Sequence, residues 1–262
     1  MRWEEEGMMK QNAFIMGNKL MGSSPRVFSL IMPSIPITHT QTPYVTGTSV
    51  LGIKYKDGVL IAADTAGSYG STTRYKSVER LRPIGQNTLV GATGEMSDFQ
   101  TILQILDRLI ITNAMFDDGN TLGPPDIHSY LNRVMYNQRN KLDPFWNTLV
   151  LGGVKNGVKY LGNVTMLGLH YVDDHVATGC GIHLAQPIFR NEWKEDMTLE
   201  QGTKLLEKCM LVLFYRDRSA INKMQIANIT EDGVKISEPY ALQTKWDYEA
   251  FSNPTVGNEG SW

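Results

Sequence analysis

Three tight turns constrain this chain more than any other feature: Lys56-Asp57-Gly58, Asn156-Gly157 and Glu231-Asp232-Gly233. Asp-Gly and Asn-Gly pairs tolerate the positive φ that a short hairpin turn demands, and each lies between apolar stretches of strand length. SVLGIKY thus pairs with VLIAAD, NTLVLGGV with VKYLGNVT, and MQIANI with VKIS. Between the hairpins the apolar period lengthens to that of a helix. Phe99, Ile102, Leu103, Leu106 and Ile110 share one face of a helix from about Ser97. Ile127, Tyr130, Leu131, Val134 and Met135 share a face of a second, with Asp126 as its expected N-cap. Thr198 and Gln201 form a capping box ahead of Leu205, Leu206, Cys209, Met210 and Leu213. Strands, paired helices, strands, helix and strands in that order predict an α+β fold of two antiparallel sheets packed face to face, with helices outside them.

Composition narrows the function classes. With 262 residues, 42% hydrophobic and 20% charged, the chain can bury a sizeable core. A formal charge of −2 offers no broad attraction to a phosphate backbone, so no nucleic-acid partner is expected. Cys180 and Cys209 could form one bridge at most; apolar and glycine-rich surroundings suggest small buried thiols in a reducing cytosolic or nuclear setting. Residues 1–39 mix methionines, Gly/Ser/Pro and both charge signs, and read as a leader. Glu4, Glu5 and Glu6 disfavour a secretory or mitochondrial signal, and Ser29 interrupts VFSLIM. No window reaches the roughly 20 apolar residues of a membrane span, so no membrane partner is expected.

Several local motifs invite a function and lack the chemistry for it. HYVDDH places His170 and His175 around Asp173 and Asp174 without further ligands at metal-site spacing, so no metal is expected and the stretch reads as a solvated turn between strands. GCGIHL lacks the third glycine and acidic residue of a dinucleotide site and reads as a loop. Ser68 and Ser71 lie in a Gly/Ser-rich turn without a nucleophile elbow. The stretch VTGTSVLGIKYKDGVLIAAD is different. Were the Gly47-Thr48 bond cut, Thr48 would gain a free α-amino group, and a terminal amine can serve as base to a weak hydroxyl nucleophile. Asp64 could then orient that site.

That stretch resembles the N-terminal signature of proteasome β-type subunits, members of the N-terminal nucleophile hydrolase family. GVLIAAD, GSYGS, LVGATGEMSD, LATGCG and FYRDRS follow the family's order of segments from Thr40 nearly to the end. TQTPYVTGTSVLGIKY, NRVMYNQRNKLDPFWNTLVLGG and LATGCGIHLAQP are most similar to a non-catalytic subgroup at the seventh position of the beta ring. The resemblance implies a four-layer αββα sandwich and a place, beside other alpha- and beta-type subunits, in a four-ring proteasome core particle, with assembly chaperones as further partners. No cofactor is implied, and the implied locations are cytoplasm and nucleus.

Residue by residue, the resemblance implies a degenerate catalytic site. Thr48 and Asp64 match the family's nucleophile and acid, and Arg80 stands where active members carry lysine. Lysine can shift its pKa on desolvation, whereas a guanidinium stays protonated. Cys180 and Ala220 stand where active members have serines, and Asp217 matches a retained aspartate. The expectation is a catalytically silent, structural subunit, with Thr48 kept inside a strand. The alternative is an active threonine protease with Thr48 freed as N-terminal nucleophile, from which Arg80 discriminates. The resemblance also implies leader removal between His39 and Thr40, leaving a domain of residues 40–251. Trp246, Tyr248 and Phe251 would anchor a tail that joins two half-particles, and residues 252–262 would form a mobile extension.

Overall fold

The computed structural model describes residues 42–247. All three turn signals form hairpins. Strand β1 (Val45–Gly47) precedes the first, β2 (Val50–Tyr55) with β3 (Gly58–Asp64). The second joins β8 (Asn147–Lys155) to β9 (Val158–Val164), where Asn156 and Gly157 have φ of 54° and 73°. The third joins β12 (Met224–Thr230) to β13 (Gly233–Ile236). The remaining strands are β4 (Gly67–Tyr69), β5 (Thr72–Tyr75), β6 (Leu81–Ile84), β7 (Thr88–Glu95), β10 (His170–Val172) and β11 (His175–Ala177). An eight-stranded antiparallel sheet runs β10-β9-β8-β7-β1-β4-β5, with β6 also paired to β7, and a five-stranded sheet runs β11-β2-β3-β12-β13.

Helices α1 (Met96–Ala114) and α2 (Pro124–Asn140) cover the larger sheet. The smaller is covered by α3 (Gly181–Leu184), α4 (Gln186–Glu192) and α5 (Leu199–Arg216). Period-two alternation divides each central strand between two cores. Leu51, Ile53, Leu60 and Ala62 point to the helices, while Val50, Val59, Ile61 and Ala63 point to the other sheet. Both faces are buried, so these strands read as continuous apolar runs. Gly152 lets the sheets approach: a Cβ there would meet Ile61 Cδ1 at 2.8 Å. The result is the αββα order of layers, built on three buried apolar clusters.

Four local expectations are corrected. Asp126 is not the N-cap of α2. The helix starts two residues earlier, at Pro124, because proline fits the first turn without needing a donor, and the Asp126 carboxylate instead accepts the Gly123 N–H at 2.8 Å. GCGIHL is not wholly loop, since Gly181–Leu184 close a helical turn, with the Ala185 N–H donating to Gly181 O at 2.9 Å. Cys180 is exposed; only Cys209 is buried, where desolvation raises its thiol pKa to about 12. Thr48 lies in no strand, and occupies the link between β1 and β2. HYVDDH is the expected turn between strands, but β10 and β11 belong to different sheets, so it carries the chain from one layer to the next.

Candidate functional site

Thr48 sits where the two sheets meet, since β1 belongs to the larger and β2 to the smaller. Asp64 ends β3, paired with the start of β12. Arg80 precedes β6, its carbonyl accepting the Ala92 N–H of β7 at 3.1 Å. Two distant stretches thus converge on the half-buried Thr48. The Thr48 hydroxyl donates to Asp64 Oδ1 at 2.6 Å. Asp64 Oδ2 accepts the Ile221 N–H at 3.1 Å.

Arg80 dominates the geometry. Its side chain and that of Asp64 have no solvent exposure, and the two form an ion pair. Nη1 also donates to Thr48 Oγ1 at 3.1 Å and to Asp64 O at 3.2 Å. Nη2 donates to Thr48 O and, at 2.9 Å, to Ser49 O, while Nε donates to Ala92 O at 3.2 Å. The planar fork therefore ties β3, β7 and the β1–β2 link together. Burial raises the Asp64 pKa against the pull of Arg80, and the same desolvation lowers that of Arg80. Gly47 is required beside it, because a Cβ there would lie 2.5 Å from Arg80 Nε.

Cys180, Asp217 and Ala220 form a more open rim beside this cluster, and the Asp217 charge is felt by both Asp64 and Arg80, where, after burial and the ion pair, it pushes each pKa upward. The Cys180 thiol is exposed, and partial burial, followed by the charge of the Asp217 carboxylate, raises its pKa. Such a thiol is a poor nucleophile. Asp217 caps its own turn, accepting the Ser219 N–H at 2.9 Å, and its carbonyl accepts the Ala220 N–H at 3.2 Å. Ala220 offers no hydroxyl. Trp246 is 58% exposed and packs edge-on against Tyr215 and Phe214 of its own α5, with ring centroids 4.9 and 5.9 Å apart. His39, Thr40, Tyr248 and Phe251 lie outside the described residues. Two structural participants were missed in the sequence: Ser49, whose hydroxyl accepts the Gly181 N–H at 3.0 Å, and Glu95 at the start of α1. The only available signal was an acid directly ahead of a helical period.

An αββα sandwich with a Thr–Asp pair at the crossing of its two antiparallel sheets is the fold of N-terminal nucleophile hydrolases. The family described as proteasome subunit matches residues 44–229. Proteasome subunit beta type-4 of Arabidopsis thaliana is 64% identical over 223 residues, covering 85% of this chain and 91% of that protein. The Xenopus laevis protein of that name is 42% identical over 86% of this chain and 94% of its own length. Proteasome subunit beta type-7 of Saccharomyces cerevisiae is 39% identical over 81% of this chain and 85% of its own. The chain belongs to the proteasome beta subunit family.

Proposed function

We propose that this chain is a non-catalytic structural beta subunit of the proteasome core particle, acting in protein degradation through assembly of the inner rings and joining of half-particles. The observation that carries this reading is the bonding of Arg80. The group beside the Thr48 hydroxyl is a permanently protonated guanidinium that contacts the hydroxyl, the Asp64 carboxylate and four backbone carbonyls. It cannot take a proton from Thr48. The nitrogen of Thr48 lies in a peptide bond, and the residues before it form β1, paired to β4 and β7. A base made from that nitrogen therefore does not exist in the uncut chain.

On this reading, the leader of residues 1–39 is removed between His39 and Thr40 by another subunit's site, because this chain holds no complete one. Residues 40–251 form the working domain, with Lys245 to Phe251 clamping the opposite half-particle. Alpha- and beta-type subunits in four rings are its partners, assembly chaperones its transient ones, and cytoplasm and nucleus its locations. The test is Thr48→Ala in the assembled particle. All peptidase activities should stay close to wild type; selective loss of one activity with normal assembly would overturn the reading.

A further inference from the structure

The chain ahead of Thr48 is held by one carboxylate. Glu95 ends β7, caps α1 and is buried. It accepts the backbone N–H of Tyr44, that of Val45 at 3.0 Å, the Ser97 N–H at 3.4 Å and the Ser97 hydroxyl at 2.9 Å. Among the described residues no ion pair neutralises it. A buried carboxylate without a cation depends on its hydrogen-bond donors, and the segment entering β1 supplies two of the four among the described residues. That segment depends on Glu95 in turn. β1 has three residues and meets β4 only at Val45↔Tyr69 and Thr46↔Ser68, and β7 only at Thr46↔Glu95 and Gly47↔Gly94. Hydrogen bonds to a carboxylate are roughly twice as strong as those between neutral groups, so two of them reinforce a ladder this short. Tyr44 adds an edge-on contact with Tyr69, ring centroids 4.4 Å apart and hydroxyls 2.7 Å apart.

We propose that Glu95 is a positioning residue that fastens Tyr44 and Val45, keeps β1 between β4 and β7, and so withholds the Gly47–Thr48 bond from cleavage. This rests on the reading of Thr48 as an internal, uncut residue. Cleavage needs a peptide carbonyl that an attacking group can approach, and Gly47 is buried against Arg80. As long as β1 stays fastened, the bond remains inside the packed junction of the sheets. Release of the strand would remove two of the four donors that the described residues give this buried carboxylate, which opposes its departure.

Amide hydrogen exchange measured by mass spectrometry on the assembled particle tests this. In Glu95→Gln, the amides of residues 44–47 should exchange at least about tenfold faster than in wild type, because an amide side chain has a single acceptor oxygen and presents donors to the N–H groups. Ser97→Ala removes one helix-cap hydroxyl and leaves both bonds to the strand, so exchange at 44–47 should stay within about twofold; a loss equal to that of Glu95→Gln would assign the effect to the helix cap and overturn the proposal. Val45→Pro deletes one donor without touching Glu95 and should also expose Thr46 and Gly47. Unchanged exchange in Glu95→Gln, or in Val45→Pro where the former does not assemble, would overturn the latch alone, given a wild-type chain that begins at Thr40. A wild-type chain beginning at Thr48 would overturn the uncut reading itself, and the latch with it.

Discussion

Thr48 has two unlike flanks. On one, Asp64 and Arg80 are wholly buried, and their donors and acceptors are taken up by each other, by the Thr48 hydroxyl and by backbone groups of four stretches. On the other, Cys180 is exposed, Asp217 caps its own turn and reaches Cys180, Asp64 and Arg80 only through its charge, and Ala220 brings no polar side chain. The family resemblance assigns both flanks to one catalytic set. Physically, one has become a bracket that joins the two sheets, and the other a solvated rim. A charge pair taken out of water is costly to break from one side, whereas an exposed group is cheap to change.

The contrast is tested most severely at Arg80. Arg80→Ala leaves the Asp64 carboxylate buried without its cation and removes a donor from four backbone carbonyls, and should destabilise the folded chain by about 3–5 kcal/mol in urea unfolding. A loss as small as that of a surface substitution would break the contrast. A smaller effect is expected at His128, a buried polar group remote from the site. Its Nδ1 meets the Tyr160 hydroxyl at 2.7 Å and its Nε2 meets Asn163 O at 3.1 Å. Burial, and to a lesser degree His170, lowers its pKa below 6.5, although the Asn163 carbonyl opposes this. The folded state therefore resists a proton that the unfolded chain accepts. Stability should be complete above about pH 6.5 and decline as pH falls below it towards the folded pKa. His128→Gln should flatten that acid-side slope; an unchanged slope would show that the burial of this site is not felt by its imidazole.

The smallest effect belongs to the rim. Cys180→Ser should change stability by no more than about 0.5 kcal/mol. Asp217→Asn removes the carboxylate that, after partial burial, raises the thiol pKa, so alkylation of Cys180 at pH 8 should become faster. Equal alkylation rates would mean that the thiol and the carboxylate do not communicate, and would separate the rim into independent surface groups.

The backbone plan was legible because its signals are local. Asn156-Gly157 supplies its turn with the positive φ expected of it, and Gly233 takes a positive φ at the third hairpin, whereas the first turn closes without one and Gly58 starts β3, where a Cβ would clash with Ile229 O. The apolar spacings of α1 and α5 identify the faces those helices bury. Even the capping box of Thr198 and Gln201 forms, with Thr198 N–H donating to Gln201 Oε1 at 3.0 Å and Gln201 N–H to Thr198 Oγ1 at 3.4 Å. Local signals misled where two were in competition, as at Pro124 and Asp126, since proline and an acid both suit a first helical turn.

What the sequence by itself determined is the order of strands and helices and the faces they bury. A turn or an amphipathic stripe is specified by neighbours a few positions apart, so it can be read along the chain. Only the tertiary structure decided that Arg80 is a bracket rather than a free cation, that Cys180 lies open to solvent while Cys209 is sealed, and that Glu95 holds the strand ahead of Thr48. Each of those facts depends on burial and on bonds between residues far apart in sequence, such as Arg80 with Thr48 and Glu95 with Val45. The cost of removing a charge from water is set by the packed surroundings, and those exist only once the sheets and helices have closed around it.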